Sequence, residues 1–161
     1  MKLARLFLIL SATFFLTAGA KKPAVSVRFH VEANARDGEP FAQAVKFRNP
    51  ERDGFVERVP SLSERDIKAI YPVPAGDGSF GCAFLFDQHG RIGLQTLSTL
   101  RRGSSLLVFV SSKSGMHQVI DMIIDKPITD GIVYVPRGLT QLEITALQKQ
   151  FRTMGTTAKR K

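Results

Sequence analysis

FGCAFLFDQHGRIGLQTLSTLRRGSSLLVFV, residues 80–110, is the stretch on which the fold turns. Its first seven residues are apolar at both odd and even positions and stop at Asp87, as expected of a central strand covered on both sides. Residues 88–102 then carry Ile92, Leu94, Leu97 and Leu100 at the spacing of one helix face, with Gly103 where a C-terminal cap belongs. Leu106-Leu-Val-Phe-Val110 follows as a second buried strand. Two buried strands joined by an amphipathic helix require a real core, so the question is what the flanking sequence adds to it.

Upstream, VSVRFHVEA (residues 25–33) alternates strictly, with Val25, Val27, Phe29 and Val31 on one face and Ser26, Arg28, His30 and Glu32 on the other. That pattern predicts a half-buried strand. Turn formers occupy residues 34–40, and FAQAVKF (41–47) is again extended, so the two segments are predicted to pair as a hairpin with a long loop. Residues 50–54 predict a turn and 55–59 a short strand. Ser63 stands three residues before Asp66 in a capping pattern, and Ile67 and Ile70 lie three apart, predicting a short helix over 64–69 that Pro72 and Pro74 do not allow to continue.

Downstream, residues 112–115 predict a turn, 116–124 an extended return and 132–135 a strand opened by Gly131. Thr140 caps a last amphipathic helix that carries Leu142, Ile144, Leu147 and Phe151 and ends near Met154 and Gly155. Strands in runs with only two long helices predict an α+β fold. Its mainly antiparallel sheet is backed by those helices in a ferredoxin-like arrangement, with an N-terminal strand pair.

The N-terminus has a different logic. Lys2 and Arg5 precede the apolar run LFLILSATFFL (residues 6–16), and Ala18-Gly-Ala20 offers small residues at a cleavage site. This is the pattern of a secretory signal peptide, with Ala18 and Ala20 as the signal-peptidase recognition residues. The run is about half the roughly 20 residues of a spanning helix, and Lys21 and Lys22 follow it at once. No cysteine follows that would carry a lipid. Residues 1–20 are therefore read as a leader, 21–155 as one exported domain and 156–161 as a basic tail, with no transmembrane anchor after cleavage and a periplasmic or extracellular location.

The formal charge of +9 falls to +7 once Lys2 and Arg5 are removed, which biases partners toward anionic surfaces. The unbroken cluster is Lys159-Arg160-Lys161, a candidate for weak, salt-sensitive contact with anionic envelope components. Nine phenylalanines remain after the three in the leader are removed, but Phe80, Phe84, Phe86 and Phe109 lie in apolar strands, so no nucleic acid is expected as a partner. Cys82 is the single cysteine, which rules out an internal disulfide, and it reads as a buried small hydrophobe.

No catalytic constellation stands out, and no cofactor or metal is expected. His30 and Glu32 share a strand face, yet His89 and His117 have no ligand spacing to them. Asp121, Asp125 and Asp130 lack the compact loop of an EF-hand. None of Ser104, Ser105, Ser111, Ser112 and Ser114 sits in a Gly-x-Ser-x-Gly turn.

From Arg58 to Phe151 the chain resembles the first periplasmic head subdomain of SecD, a membrane subunit that assists the bacterial preprotein translocase. The matching order runs from Pro60-Ser-Leu-Ser-Glu-Arg-Asp-Ile67 through Phe84-Leu-Phe-Asp-Gln-His-Gly90, Thr99 and Leu106-Leu-Val-Phe-Val110. It continues with the apolar residues 120–124, Ile128-Thr-Asp-Gly-Ile132 and Gly138-Leu-Thr-Gln-Leu-Glu143. The resemblance implies a non-enzymatic module that binds protein segments or envelope components through a sheet edge or a groove beside the helices. Two other readings are a periplasmic hydrolase or metal-dependent enzyme assembled from residues such as His30, Glu32 and Asp121, and a structural envelope protein. N-terminal sequencing of the protein recovered from the envelope is expected to begin at Lys21; an intact Met1 would overturn the leader.

Overall fold

The computed structural model describes residues 24–155. The signal-peptidase residues Ala18 and Ala20 and the basic cluster Lys159, Arg160 and Lys161 lie outside them. Ten strands, β1 (Ser26–Ala33), β2 (Ala42–Arg48), β3 (Glu51–Glu57), β4 (Leu62–Ser63), β5 (Ile67–Pro74), β6 (Phe80–Phe86), β7 (Ser105–Ser112), β8 (Gly115–Ile123), β9 (Ile132–Leu139) and β10 (Arg152–Thr153), accompany two helices, α1 (Gln88–Leu100) and α2 (Gln141–Gln150). The α+β class, the mainly antiparallel pairing and the two longer helices are as the sequence predicts.

The sequence pattern does not carry the division of these strands between two sheets. One runs β2-β3-β1-β7-β8, with β4 also on β1; the other runs β10-β5-β6-β9. Val25, just ahead of β1, and the inward residues of β1, Val27, Phe29 and Val31, meet Ile70, Phe84, Phe86, Val133 and Val135 from the second sheet in one core. Phe29 stands edge-on to both Phe84 and Phe86, with centroids 5.7 and 5.1 Å away. These are favourable arrangements of two ring quadrupoles. Leu94 of α1 and Ile144 and Leu147 of α2 join the same core.

The predicted pairing of β1 with β2 does not occur. β2 and β3 are joined through Asn49 and Pro50 alone and pair from Ala42 opposite Glu57 to Arg48 opposite Glu51. That connection closes far more easily than the long 34–41 loop, so β3 takes the place beside β1, at Glu32 and Ala33. The hairpin then folds over the outer face of the first sheet. Phe47, fully buried, packs there with Val56 and Leu107 in a second small core. The Arg52 guanidinium covers the Phe47 ring at 4.0 Å, and a Cβ at Gly54 would come within 2.5 Å of it.

The predicted helix over 64–69 is a single turn, Glu64–Asp66, closed by the Ser63–Asp66 capping box. Ile67 onward is strand β5, because Ile67 and Ile70 are both buried against β6 once a bulge between Ile67 and Ala69 shifts the register. Helical spacing and bulged-strand spacing coincide here, and the core decides between them. Helix α2 stops at Gln150, ahead of the predicted end near Met154, because Phe151 turns extended and packs against the core while Arg152 and Thr153 pair in parallel with Ala69 and Ile70.

The helix faces are also narrower than predicted. Ile92, Leu100 and Leu142 are exposed, whereas Glu143 is turned inward. Phe29→Ala is expected to lower unfolding free energy by about 3–5 kcal/mol, measured by urea denaturation, because it removes the ring that fills the space between the sheets. A loss below ~1 kcal/mol would show that the two sheets do not depend on it.

Candidate functional site

The second sheet has one face in the core and one facing out. The rows Ile70–Phe84–Val133 and Pro72–Cys82–Val135 point inward, so the alternate rows Ala69–Leu85–Ile132 and Tyr71–Ala83–Tyr134, with Val73 beside Gly81, point outward. None of these outward residues is charged. Tyr71 and Tyr134 are 52% and 50% exposed and stand on either side of the Ala83 methyl. A small residue between two rings leaves a trough about 9–10 Å across, the width of two strand spacings. Gly81 lets this surface pass beneath β9, since a Cβ there would run into the backbone carbonyls of Val135 and Pro136.

Prolines blunt both edges of this sheet. The Ile70 carbonyl accepts from Met154 N–H, so strand alternation points the Pro72 and Pro74 nitrogens to that same edge, where neither has a hydrogen to donate. Pro136 interrupts β9. What this face offers a ligand is therefore side chains, not backbone. Cys82 lies directly beneath, and burial pushes its thiol up to about 12, far from a reactive thiolate.

The residues of the metal-enzyme reading lie on the outer face of the first sheet. His30, Leu107 and Asp121 form one row across β1, β7 and β8, with Leu107 between the two polar residues. Each polar group there is already engaged. His30 Nδ1 donates to the Glu57 carbonyl at 2.7 Å, and its ring stands edge-on to Phe109. Asp121 Oδ2 accepts the Arg48 and Asn49 amides at 2.7 and 2.8 Å, which pins the hairpin tip to β8. Burial works against a charged Glu32, but the Ser105 amide and the Arg52 guanidinium outweigh it and hold the carboxyl below its ordinary range. Among the described residues no three His, Cys, Asp or Glu side chains gather where a metal ion would fit.

One polar cluster escapes sequence reasoning. Glu143, almost fully buried, accepts from Thr140 N and Oγ1 at 2.9 and 3.0 Å through Oε2, while Oε1 lies 2.9 Å from His117 Nε2 and 3.4 Å from Ser112 Oγ. The Thr140-x-x-Glu143 spacing marks the capping box, but nothing in the sequence shows that the same carboxylate also ties α2 to the β7–β8 hairpin. It is not a hydrolase triad, because Ser112 reaches the glutamate and not the imidazole.

No family model matches the sequence, and no curated protein matches it. Solved structures do. A structure of the membrane component SecDF, which enhances protein export, superposes with a TM-score of 0.53 at 11% identity, over 84% of this chain and 70% of that one. SecDF in its super-membrane-facing form gives 0.52 at 13% identity over 82% of this chain, which spans only 20% of that one. At these identities the likeness is one of fold, and the chain has the fold of a SecD-like periplasmic head. No described helix is long and apolar enough to cross a membrane.

Burial holds the His30 pKa below its ordinary 6.5, with the nearby Arg28 charge acting in the same direction. The unfolded chain therefore takes up this proton first, and stability is expected to fall as pH drops below about 6.5 while remaining flat above it. The lowered Glu32 acts separately, below the ordinary carboxylate range. Denaturation midpoints between pH 5 and 7.5 should show this slope, and His30→Gln should flatten it; an identical slope in the variant would assign it to other groups.

Proposed function

We propose that this protein is an exported, non-enzymatic module of the cell envelope that binds segments of other polypeptides. The observation that carries this reading is the uncharged row at the centre of the outer face of β5-β6-β9, where Tyr71 and Tyr134 flank Ala83. Exposed apolar faces of this kind mark interaction sites, and tyrosine supplies apolar area together with a hydroxyl that needs no burial. Unfolded or emerging chains expose the side chains that such a trough accepts. The SecD-like fold supports the same reading, since SecDF enhances protein export.

The polar groups favour binding over catalysis. Glu32, Asp121 and Glu143 each hold two structural elements together, which leaves them poorly placed to exchange protons with a substrate. Recognition through the second sheet favours side chains, because Pro72, Pro74 and Pro136 blunt the backbone route.

Fluorescence anisotropy with labelled, permanently unfolded carboxymethylated lactalbumin is expected to show saturable binding to the mature protein. The double variant Tyr71→Ser with Tyr134→Ser should weaken that binding at least tenfold, as loss of central aromatic contacts does, with the circular dichroism unchanged. No binding by the wild-type protein at low and moderate salt would overturn the proposal.

A further inference from the structure

We infer that the outer edge of β2 is a second polypeptide site, one that takes an extended segment as an added strand. The hairpin covers only part of the first sheet's outer face. It lies over the row His30–Leu107–Asp121, touches Phe109 in the next row, Arg28–Phe109–Gln118, and leaves the row beyond, Ser26–Ser111–Met116, uncovered. Met116 is 62% exposed, and Phe109 is half-buried. The covered and uncovered parts meet at a step. Its wall is β2 and its floor is the Arg28–Phe109–Gln118 row.

The wall has unused backbone. Arg48 N–H turns away from β3 to reach Asp121, and Ala42 N–H turns the same way to reach the Gly38 carbonyl. Strand alternation therefore points the N–H and C=O groups of Ala44 and Lys46 to the same outer side, where no described residue takes them. This edge contains no proline, in contrast to β5 and β9.

The floor has an unused group of its own. Gln118 Nε2 is buried and has no acceptor among the described residues, and it lines a recess of about 410 Å³ with Lys46, Phe47, Arg48 and Glu51. A buried amide without a partner is costly. An extended chain laid along β2 presents carbonyl oxygens and N–H groups in alternation, which matches the wall, and one carbonyl above the floor meets Gln118. A flat apolar ligand would satisfy neither. The occupant that fits both is an extended polypeptide, bound by strand addition.

The inference rests on reading the protein as a polypeptide binder but assigns a different surface, so the two are separable. The probe is a ten-residue alternating Val-Thr peptide, titrated into the mature protein with hydrogen exchange followed at individual amides. Ala44 and Lys46 amides are expected to gain protection on binding. Methylating alternate peptide nitrogens should weaken affinity about tenfold, as should Ala44→Pro, and Gln118→Ala should weaken it several-fold. The methylated peptide leaves the protein unaltered, so its result stands even if Ala44→Pro misfolds.

Peptide binding that survives backbone methylation, or that is lost only with Tyr71→Ser and Tyr134→Ser, overturns the β2 site and leaves the aromatic face as the binding surface. Self-association by sedimentation that Ala44→Pro abolishes also overturns it, naming a second copy of the chain as the occupant. No affinity for this peptide or for unfolded lactalbumin removes both readings.

Discussion

The contact of Phe29 with Phe84 and Phe86 joins two sheets that share no hydrogen-bonded strand pair. Sheets facing each other across about 10 Å need large side chains to fill the gap, and three rings meeting edge to face fill it without crowding like faces together. Once that gap is filled, α1 and α2 close the core with Leu94, Ile144 and Leu147, supported by the half-buried Leu97 and Ala146. The constraint also has a cost elsewhere: a sheet with one face in the core has another face to dispose of. The two sheets dispose of theirs differently. The first folds a hairpin over its outer side and buries Phe47; the second leaves Tyr71 and Tyr134 in water.

Buried and half-buried polar groups in this protein connect elements. Asp121 joins β8 to the hairpin tip, Glu143 joins α2 to β8, Ser98 joins α1 to the Ile128 amide, and Glu32 joins β1 to Ser105 and Arg52. A carboxylate that accepts several short bonds loses far more on disruption than it gains over an apolar substitute, so such groups act as registry pins more than as sources of net stability.

Strand and helix positions were largely legible from the sequence, because alternation in β1, continuous apolarity in β6 and β7, and the cap at Thr140 are local signals. Partnership was not. Nothing local distinguishes β1 beside β3 from β1 beside β2, and the short Asn49–Pro50 connection outranked the longer loop only when the whole sheet was assembled. β5 was hidden because a capping box precedes it and a bulge gives it helical spacing. The candidate binding face was hidden for a different reason. Tyr71, Ala83 and Tyr134 sit in strands apolar on both sides, and such strands read as buried on both sides when one of those sides is open to solvent.

The two surfaces proposed to bind polypeptides, that open face and the β2 edge, correspond to the two ways a sheet can recognise a chain. Backbone pairing needs free N–H groups and tolerates almost any sequence, whereas a side-chain trough needs no backbone and discriminates by shape and polarity. Prolines at 72, 74 and 136 blunt the first mode on the sheet whose face is aromatic, a device that works against edge-to-edge pairing. The β2 edge keeps the first mode, and its neighbours Lys46, Arg48 and Arg52 keep it from presenting a flat apolar strand. Under the proposed function, keeping the two modes on separate sheets would let a segment long enough to reach both be held by their combined affinity, while neither surface joins aromatic face to open strand edge.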